Sequence, residues 1–442
     1  MRGVLLALAL AAPAGAYETF ALPNGLQVLL APDRSVPIVT LGWGVSVGSR
    51  QEPPGRTGFA HLFEHLMFQG SAHVPRGRFD KILEGLGAEN NAFTAIDRTY
   101  YYETTPSHAW TTALWLDADR LAGPTLSDKS VRNQVDVVKE ERRQSVDNEA
   151  YQPLLTVEVA SRVFTNFANA HNTYGSFADL DAATSAAARA FFDAHYAPRE
   201  LRLALVGDFD PAAAKALLRT YLGSLPNKAA PAPPVPTGEP APSAGLAASV
   251  KDANAGVPGS AFVWRVDAPR ASRDRWALAL VGRYLGAGDA ARLRTTLVKE
   301  AKAASAVDEP VEGGLGFPTS DYADFKEPGL FGFFILRRPE AAPARLKELI
   351  AAELAKVVAE GVPSAALARV KARLAGELAR ARQTTQGRAE GLVRAWQLDG
   401  SPDAFEFDLA AAMTVTVEET RDAAARWLSP AAMNVFELEA GE

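Results

Sequence analysis

Residues 58–68 have the sequence Gly58-Phe59-Ala60-His61-Leu62-Phe63-Glu64-His65-Leu66-Met67-Phe68. The pattern predicts a helix in which His61, Glu64 and His65 share one face, because residues three and four apart are neighbours on a helix. Two neutral imidazoles can hold a zinc ion, and a carboxylate beside them can take a proton from a metal-bound water. The alternative is a helix with two buried histidines. Only 6 of the 442 residues are histidine, so this spacing arises by chance in roughly one such chain in a hundred or fewer, and we favour the metal site.

Length and composition limit the class of protein. At 442 residues the chain exceeds what one hydrophobic core usually serves, which predicts two domains or three. The net charge of -6 and the lack of a basic stripe argue against nucleic-acid binding. Cysteine is absent from the sequence, which excludes disulfide bonds and thiolate ligands. Any metal ligands must therefore be histidine or carboxylate side chains.

The first sixteen residues have the features of a signal peptide. Arg2 precedes a short apolar run, and Ala14-Gly15-Ala16 has the small-x-small pattern that signal peptidase accepts. The apolar run is too short to cross a bilayer, which disfavours a membrane anchor. We expect cleavage after Ala16, a periplasmic or secreted location, and no membrane span in the mature protein.

The mature chain alternates between strand and helix patterns, which predicts an α+β fold. Strands are predicted at residues 20–22, 26–30, 38–47, 100–103, 201–206, 261–266, 330–336 and 435–438. Helices are predicted at residues 58–68, 78–86, 107–121, 127–148, 184–195, 211–222, 272–285 and, as one long helical run, 341–398.

A weak internal repeat and one linker divide the chain. Tyr196-Ala197-Pro198 leads into a strand, and Leu428-Ser429-Pro430 leads into another at the same offset, each after a helix. Residues 226–246 are dominated by proline and alanine without periodicity, as linkers are. We predict two copies of one α+β unit, at 17–225 and 247–442, joined by this linker.

The helix of His61 and His65 resembles the zinc-binding helix of the M16 (pitrilysin-like) metallopeptidases, which include insulin-degrading enzyme and the mitochondrial processing peptidase. Their H-x-x-E-H signature reverses the order found in thermolysin-like enzymes. The resemblance covers essentially the whole mature chain, strongly before the linker and loosely after it. Its other motifs are Asn91-Ala92-Phe93-Thr94 with Asp97, Thr99 and Tyr101, residues 137–144, His195-Tyr196-Ala197-Pro198, and Gly207-Asp208-Phe209.

The resemblance implies a fold and a set of site residues. The fold is two homologous domains, each a mostly antiparallel β-sheet flanked by helices. His61 and His65 would be zinc ligands, and Glu64 the general base that activates a zinc-bound water. The third ligand of the family falls on Glu141. Its neighbour Glu140 points about 100° away around a helix, so only one of the two can face the metal, and we prefer Glu141.

Three further positions follow from the resemblance. Asn91 and Ala92 correspond to an edge strand that receives the peptide substrate as an added strand. The alternative for Asn91 is a turn residue beside Asn90. Many relatives have a glutamate where this chain has Gln134, whose amide could orient Glu141 through a hydrogen bond but cannot act as a base.

The second half departs from the pattern of self-sufficient relatives. They carry an arginine and a tyrosine that help to bind the substrate, and the best alignment puts these positions at Val298 and Ser305. Neither side chain can replace the residue of the family. The resemblance therefore implies the metal-bearing subunit of a heterodimer with a second M16-like chain, with a homodimer as the other arrangement.

The sequence thus predicts an exported, zinc-dependent endopeptidase acting on peptides or unfolded segments, with one Zn²⁺ per chain. Manganese or cobalt could occupy the same ligands. The alternative is a non-catalytic M16-like subunit that binds peptides or serves as a scaffold. A lyase class with the same motif is disfavoured because it also uses a cysteine.

Overall fold

A computed structural model of the chain describes residues 17–228, 230, 233–241, 244–307 and 326–441. The signal peptide predicted at residues 1–16 lies outside this part of the chain, as do residues 229, 231–232 and 242–243 of the predicted linker. Among the described helices, none combines the length and the apolar character needed to cross a membrane.

The two halves each contain one mixed β-sheet. The first sheet has the strand order β1-β2-β6-β3-β5-β4, and the second has the order β7-β11-β8-β10-β9. The first sheet comprises β1 (Glu18–Ala21), β2 (Gln27–Pro32), β3 (Ile38–Val45), β4 (Glu89–Thr94), β5 (Thr99–Pro106) and β6 (Leu201–Gly207). The second comprises β7 (Ala247–Asp252), β8 (Gly259–Val266), β9 (Ala304–Val307), β10 (Gly329–Arg337) and β11 (Asn434–Ala440).

The pairing of the strands confirms the predicted fold class and the duplication. If β1 is set aside, both sheets follow the order first-last-second-fourth-third strand of their own half. In each, the first and last strands are parallel and the remaining pairs are antiparallel. The strands that the repeat predicted to be equivalent, β6 and β11, occupy the same place. The domain boundaries at 225 and 247 remain a prediction.

Helices cover both sheets. They are α1 (Phe59–Leu66), α2 (Phe79–Gly85), α3 (Trp110–Ala122), α4 (Asp128–Arg142), α5 (Val159–Val163), α6 (Phe167–Ala170), α7 (Phe177–Asp181), α8 (Ser185–His195), α9 (Pro211–Leu222), α10 (Asp274–Gly286), α11 (Pro343–Glu360), α12 (Ser364–Ala381), α13 (Thr385–Asp399), α14 (Asp403–Met413) and α15 (Val417–Trp427). Short π-helical segments lie at Arg143–Asp147, Pro153–Glu158 and Arg294–Glu300, and short 3₁₀ helices at Ser49–Gln51, Pro198–Glu200 and Pro430–Ala432.

The long helical run predicted at 341–398 is three helices. Gly361 and Pro363 separate α11 from α12, since a proline ring cannot continue a helix. The side chain of Thr384 accepts a hydrogen bond from the N–H of Gly387 and so begins α13. The separation of α12 from α13 allows α13 to pack against the sheet of the first half.

Each half covers part of the other. Helix α13, from the second half, packs against the first sheet, where Leu392 and Val393 lie with Leu29 and Val206 in one buried cluster. In the reverse direction, residues 154–164 of the first half lie with strands of the second sheet in another buried cluster. Each half therefore has a core of its own, while further buried clusters are shared between the two halves.

The residues of strand β3 allow α13 to contact the first sheet. Side chains of a strand alternate between its faces, and in β3 the buried Trp43 belongs to the core of the first half. Its neighbours Gly42 and Gly44 face the other way. A Cβ at Gly42 would clash with the hydroxyl of Tyr100 on the neighbouring strand and lie 3.3 Å from Cβ of Ala389 on α13, and one at Gly44 would lie 2.8 Å from the amide of Gln397 on α13. The two glycines let α13 approach the sheet closely.

We expect Leu392→Ala to destabilise the whole chain by about 2–5 kcal/mol, because it empties buried space between the halves. Chemical denaturation followed by circular dichroism measures the effect. Phe407→Ala is the control, because Phe407 is 67% exposed on the neighbouring helix α14 and should change stability by less than about 0.5 kcal/mol. Unfolding of the second half alone in the Leu392 variant would contradict the shared core.

Candidate metal centre

Helix α1 carries the H-x-x-E-H residues into the interior. It begins after Gly58, whose φ of 84° is left-handed. A Cβ at this position would also lie 2.5 Å from the carbonyl oxygen of Tyr174, so a side chain is excluded on two grounds. His61 and Glu64 are buried, and His65 is partly buried. The Nε2 atoms of the two histidines lie 3.2 Å apart.

Helix α4 packs against α1 and brings Glu141 to the histidines. Its carboxylate oxygens lie 3.5 Å from Nε2 of His61 and 3.2 Å from Nε2 of His65. Glu140 points elsewhere: its side chain is 55% exposed and pairs with Arg143 at 3.2 Å. Of the two glutamates, the fold thus places Glu141 at the histidine pair, where it forms the only group of three or more potential metal ligands in the described part of the chain.

The dimensions of this group fit a zinc ion. A tetrahedral zinc with bonds of about 2.0–2.1 Å holds neighbouring ligand atoms about 3.3 Å apart. The two histidine Nε2 atoms lie 3.2 Å apart, and Oε2 of Glu141 lies 3.2 Å from Nε2 of His65, both close to that value; the other oxygen of the carboxylate, Oε1, lies 3.5 Å from Nε2 of His61. Two imidazoles and one carboxylate are also a donor set that zinc accepts, and three protein ligands leave a fourth position open. His61, His65 and Glu141 are therefore suited to hold a catalytic rather than a structural metal.

The protonation of His61 and Glu141 suits metal binding, whereas a metal would have to displace a proton that the surroundings of His65 favour. Burial, with the neighbouring His65, lowers the pKa of His61 to about 4, so its ring is neutral at pH 7. Burial alone would lower the pKa of His65, but its hydrogen bond with Glu141 and the charges of Glu64 and Glu141 raise it. Burial alone would raise the pKa of Glu141, but the two histidines lower it. A carboxylate and a neutral imidazole are the forms that a metal requires.

Glu64 lies beside the ligand group without joining it. Burial raises its pKa to about 7, even though a hydrogen bond from Thr94 opposes the change. That bond, 2.6 Å from the Thr94 hydroxyl to Oε2 of Glu64, ties the carboxylate to β4. A carboxyl group with a pKa near neutrality can both accept and return a proton, as a general base and acid must.

Asn91 and Ala92 lie on β4, which is the edge strand of the first sheet. Asn91 is therefore in a strand and not in a turn. Gln134 is buried on α4, two turns before Glu141. Its amide donates to Asn133 at 2.9 Å, and it is among the groups that raise the pKa of His65. Its contact is thus with a histidine of the group.

The positions aligned with the arginine and the tyrosine lie in the second half. Val298 packs against the core of that half, and the hydroxyl of Ser305, on β9, donates to the carbonyl oxygen of Leu336 at 3.2 Å. Arg292 pairs with Glu353 at 2.9 Å.

Glu52 is a residue of the site that the sequence analysis missed. Its buried carboxylate accepts hydrogen bonds from the N–H groups of Gly58, at 2.8 Å, and Ala60, at 2.7 Å. Nε2 of His171 lies 3.2 Å from the same carboxylate. Glu52 thereby satisfies N–H groups at the start of α1 that have no partner within the helix. An acidic residue just before a predicted helix was the available signal.

Residues 171–181, which we call the bridging segment, connect the two ligand-bearing helices. The N–H of Thr57, just before α1, donates to Asp179 of this segment at 3.0 Å. On the other side, Lys139 of α4 pairs with Asp181 at 2.8 Å, and Arg142 donates to the carbonyl oxygen of Gly175. The segment therefore helps to set the distance between the histidine pair and Glu141.

Comparison with known proteins relates the chain to one peptidase family. The family described as Insulinase (Peptidase family M16) matches residues 27–176, which include all three potential ligands and Glu64. The Peptidase M16 inactive domain matches residues 182–374. Among curated relatives, the zinc protease PqqE of Helicobacter pylori is 29% identical over 296 residues. The alignment spans 65% of this chain and 65% of that protein, a little less than two thirds of its length.

Solved structures share the fold. A protease from Helicobacter pylori superposes with a TM-score of 0.86 at 23% identity, covering 96% of this chain and 99% of the other. The periplasmic protease PqqL from Escherichia coli superposes with a TM-score of 0.72 at 20% identity. That match covers 96% of this chain but only 47% of the longer protein.

Replacing Glu141 by glutamine should weaken zinc binding by more than about 100-fold, the upper end of what loss of an outer hydrogen-bond partner costs. Glu140→Gln is the matched control on the adjacent position and should leave the zinc affinity unchanged. Competition with a chromophoric chelator measures both. Equal losses in the two variants would show that Glu141 has no special role.

Glu52→Ala should lower the zinc affinity about 10- to 100-fold, because the start of α1 loses the carboxylate that orients it. Glu52→Gln keeps the shape and one acceptor oxygen, so its loss should be smaller. The same chelator competition measures the affinity, and thermal unfolding shows whether each variant is folded. A folded Glu52→Ala protein with the original zinc affinity would contradict this positioning role.

Proposed function

The chain belongs to the M16 family of peptidases, and on that basis we propose that it is an exported zinc-dependent endopeptidase that hydrolyses peptides or unfolded segments. The observation that carries the proposal is the group of His61, His65 and Glu141, in which the histidine Nε2 atoms lie 3.2 Å apart and each lies 3.2–3.5 Å from an oxygen of the Glu141 carboxylate, an arrangement suited to one zinc ion per chain. The zinc proteases among its relatives support the same assignment.

A zinc ion held by these ligands would polarise the scissile carbonyl and lower the pKa of the attacking water. Glu64 would accept a proton from that water and return it to the leaving amine. The pKa of Glu64, raised by burial to about 7, suits both transfers. The hydroxyl of Thr94, donating to Oε2, would hold the carboxylate in place while its proton is exchanged.

The substrate would bind to β4 as an added strand. An edge strand has unpaired N–H and C=O groups, which can bond to an extended peptide whatever its sequence. Asn91 and Ala92 are on this strand, and Thr94 of the same strand is bonded to Glu64. A peptide aligned along β4 would therefore run past the proposed base.

A second M16-like chain is part of the proposal. Val298 and Ser305 cannot supply the arginine and tyrosine functions that the resemblance assigns to their positions. This chain also matches only about half of the length of PqqL, with 47% of that protein covered. A heterodimer, or a homodimer, would complete the enclosure of the substrate. Export is supported by the predicted signal peptide and by the periplasmic location of PqqL.

The other candidate is a non-catalytic subunit that binds peptides. The match of residues 182–374 to the M16 inactive domain favours it to a small degree. The complete set of His61, Glu64, His65 and Glu141 in the first half favours catalysis.

Glu64→Gln should reduce kcat about 10²- to 10⁴-fold, the usual contribution of a general base, and leave one zinc bound per chain. The assay is cleavage of fluorogenic peptides by the mature chain, alone and with its M16-like partner, together with metal analysis. Glu140→Gln is the matched control and should keep full activity. Full activity of Glu64→Gln would exclude the mechanism, and a wild-type chain that binds no metal at micromolar zinc would favour the non-catalytic subunit.

A further inference from the structure

A cavity of about 300 Å³ adjoins Glu64 and His65. It has room for roughly ten waters at about 30 Å³ each, and so for one long side chain and a few waters. Beyond the proposed base and ligand, its lining consists of Phe68, Gln69, Asp80, Asn90, Asn91 and Gln134. Five of these six side chains are polar.

Several side chains of the lining carry hydrogen-bond acceptors. Oε1 of Gln69 is buried and has no hydrogen-bond partner among the described residues. One oxygen of the Asp80 carboxylate accepts a hydrogen bond from the amide of Asn90 at 3.1 Å, which leaves its other oxygen available. The Asp80 side chain is only partly buried, so its second oxygen can accept a hydrogen bond from a charged N–H group of a bound side chain, whereas Oε1 of Gln69 is closed off from the cavity.

The charge of the cavity also favours a cationic ligand. Asp80 and Glu64 are acidic, and no lysine or arginine is among the lining residues. His65 is the only potential cation, and in the metal-bound protein it would be a neutral ligand. The ring of Phe68 provides an apolar wall along which the methylene groups of a long side chain can lie.

We propose that this cavity binds a lysine or arginine side chain of the substrate, at a residue next to the scissile bond, with Asp80 as the specificity-determining residue. The proposal rests on the peptidase function. Asn91 connects the cavity with the proposed peptide-binding strand, because it lines the cavity and lies on β4, where the peptide backbone would bind. Side chains of an added strand point alternately to its two faces, so one of them would enter the cavity beside Glu64.

The test compares peptides that differ at one residue on either side of the cleaved bond, with lysine, arginine, norleucine, glutamine or glutamate in turn. The zinc-loaded chain is used with its partner, and mass spectrometry locates the cuts. We expect lysine and arginine at one of these positions to raise kcat/KM at least about tenfold over norleucine, as a hydrogen-bonded charge does. Equal cleavage of the lysine and glutamine peptides would overturn the proposal.

Asp80→Asn should reduce the lysine-to-norleucine ratio of kcat/KM to about one. Asp80→Lys should instead favour the glutamate peptide. Glu84→Gln is the control, because Glu84 is exposed on the same short helix and does not line the cavity. A basic preference that survives in Asp80→Asn, or that is lost in Glu84→Gln, would show that Asp80 does not determine it.

A binding measurement separates this proposal from the proposed function. The Glu64→Gln protein loses one acidic group of the lining but keeps Asp80 and the other lining residues, so a lysine preference in this variant reports on Asp80. Fluorescence anisotropy can compare its affinity for the lysine and norleucine peptides without any cleavage. If the wild-type protein cleaves nothing while the lysine peptide binds at least about tenfold more tightly, the peptidase assignment is wrong and the cavity assignment holds. If peptides are cleaved but both bind equally, the reverse is true.

Discussion

The close approach of three metal-binding groups, the imidazoles of His61 and His65 and the carboxylate of Glu141, is the constraint on which the rest of the site depends. Separations of 3.2–3.5 Å between lone pairs need either shared protons or a cation between them. The surrounding structure holds the atoms there: Glu52 anchors the start of α1, and the bridging segment, residues 171–181, is bonded to both ends of the α1–α4 pair.

Tertiary contacts also position the proposed base, Glu64, and the edge strand β4, which would carry the substrate. Thr94 ties Glu64 to β4. At the end of the β4–β5 turn, Asp97 accepts hydrogen bonds from Arg50 and from the N–H of Lys326, which precedes β10 in the second half. Arg50 also donates to the carbonyl oxygen of Pro328 at 3.0 Å. The position of the edge strand therefore depends on contacts across the two halves, as does the packing of α13 on the first sheet.

Part of the candidate site could be predicted from the sequence, and the reason differs from residue to residue. The i, i+3, i+4 spacing places His61, Glu64 and His65 on one face in any helix, so local geometry was sufficient. The choice of Glu141 over Glu140 needed a family resemblance, and the structure brings Glu141 to the histidines because α4 crosses α1 with that face inward. Glu52 and His171 are 119 residues apart, and no periodic pattern connects them. Asp80 was passed over because its significance comes from a cavity, which no sequence pattern encodes.

The amino-acid sequence by itself determined the elements that depend on near neighbours: the helix of His61 and His65, the alternating strands, the Pro- and Ala-rich region and the repeated unit. The tertiary structure alone decided how these elements share their surfaces. It placed α13 on the opposite half, with Gly42 and Gly44 making room for it. The physical reason is that a sequence pattern reports only on residues close together in the chain. Periodicity reports which face of an element is apolar, but which surface covers that face depends on burial summed over residues far apart in the chain.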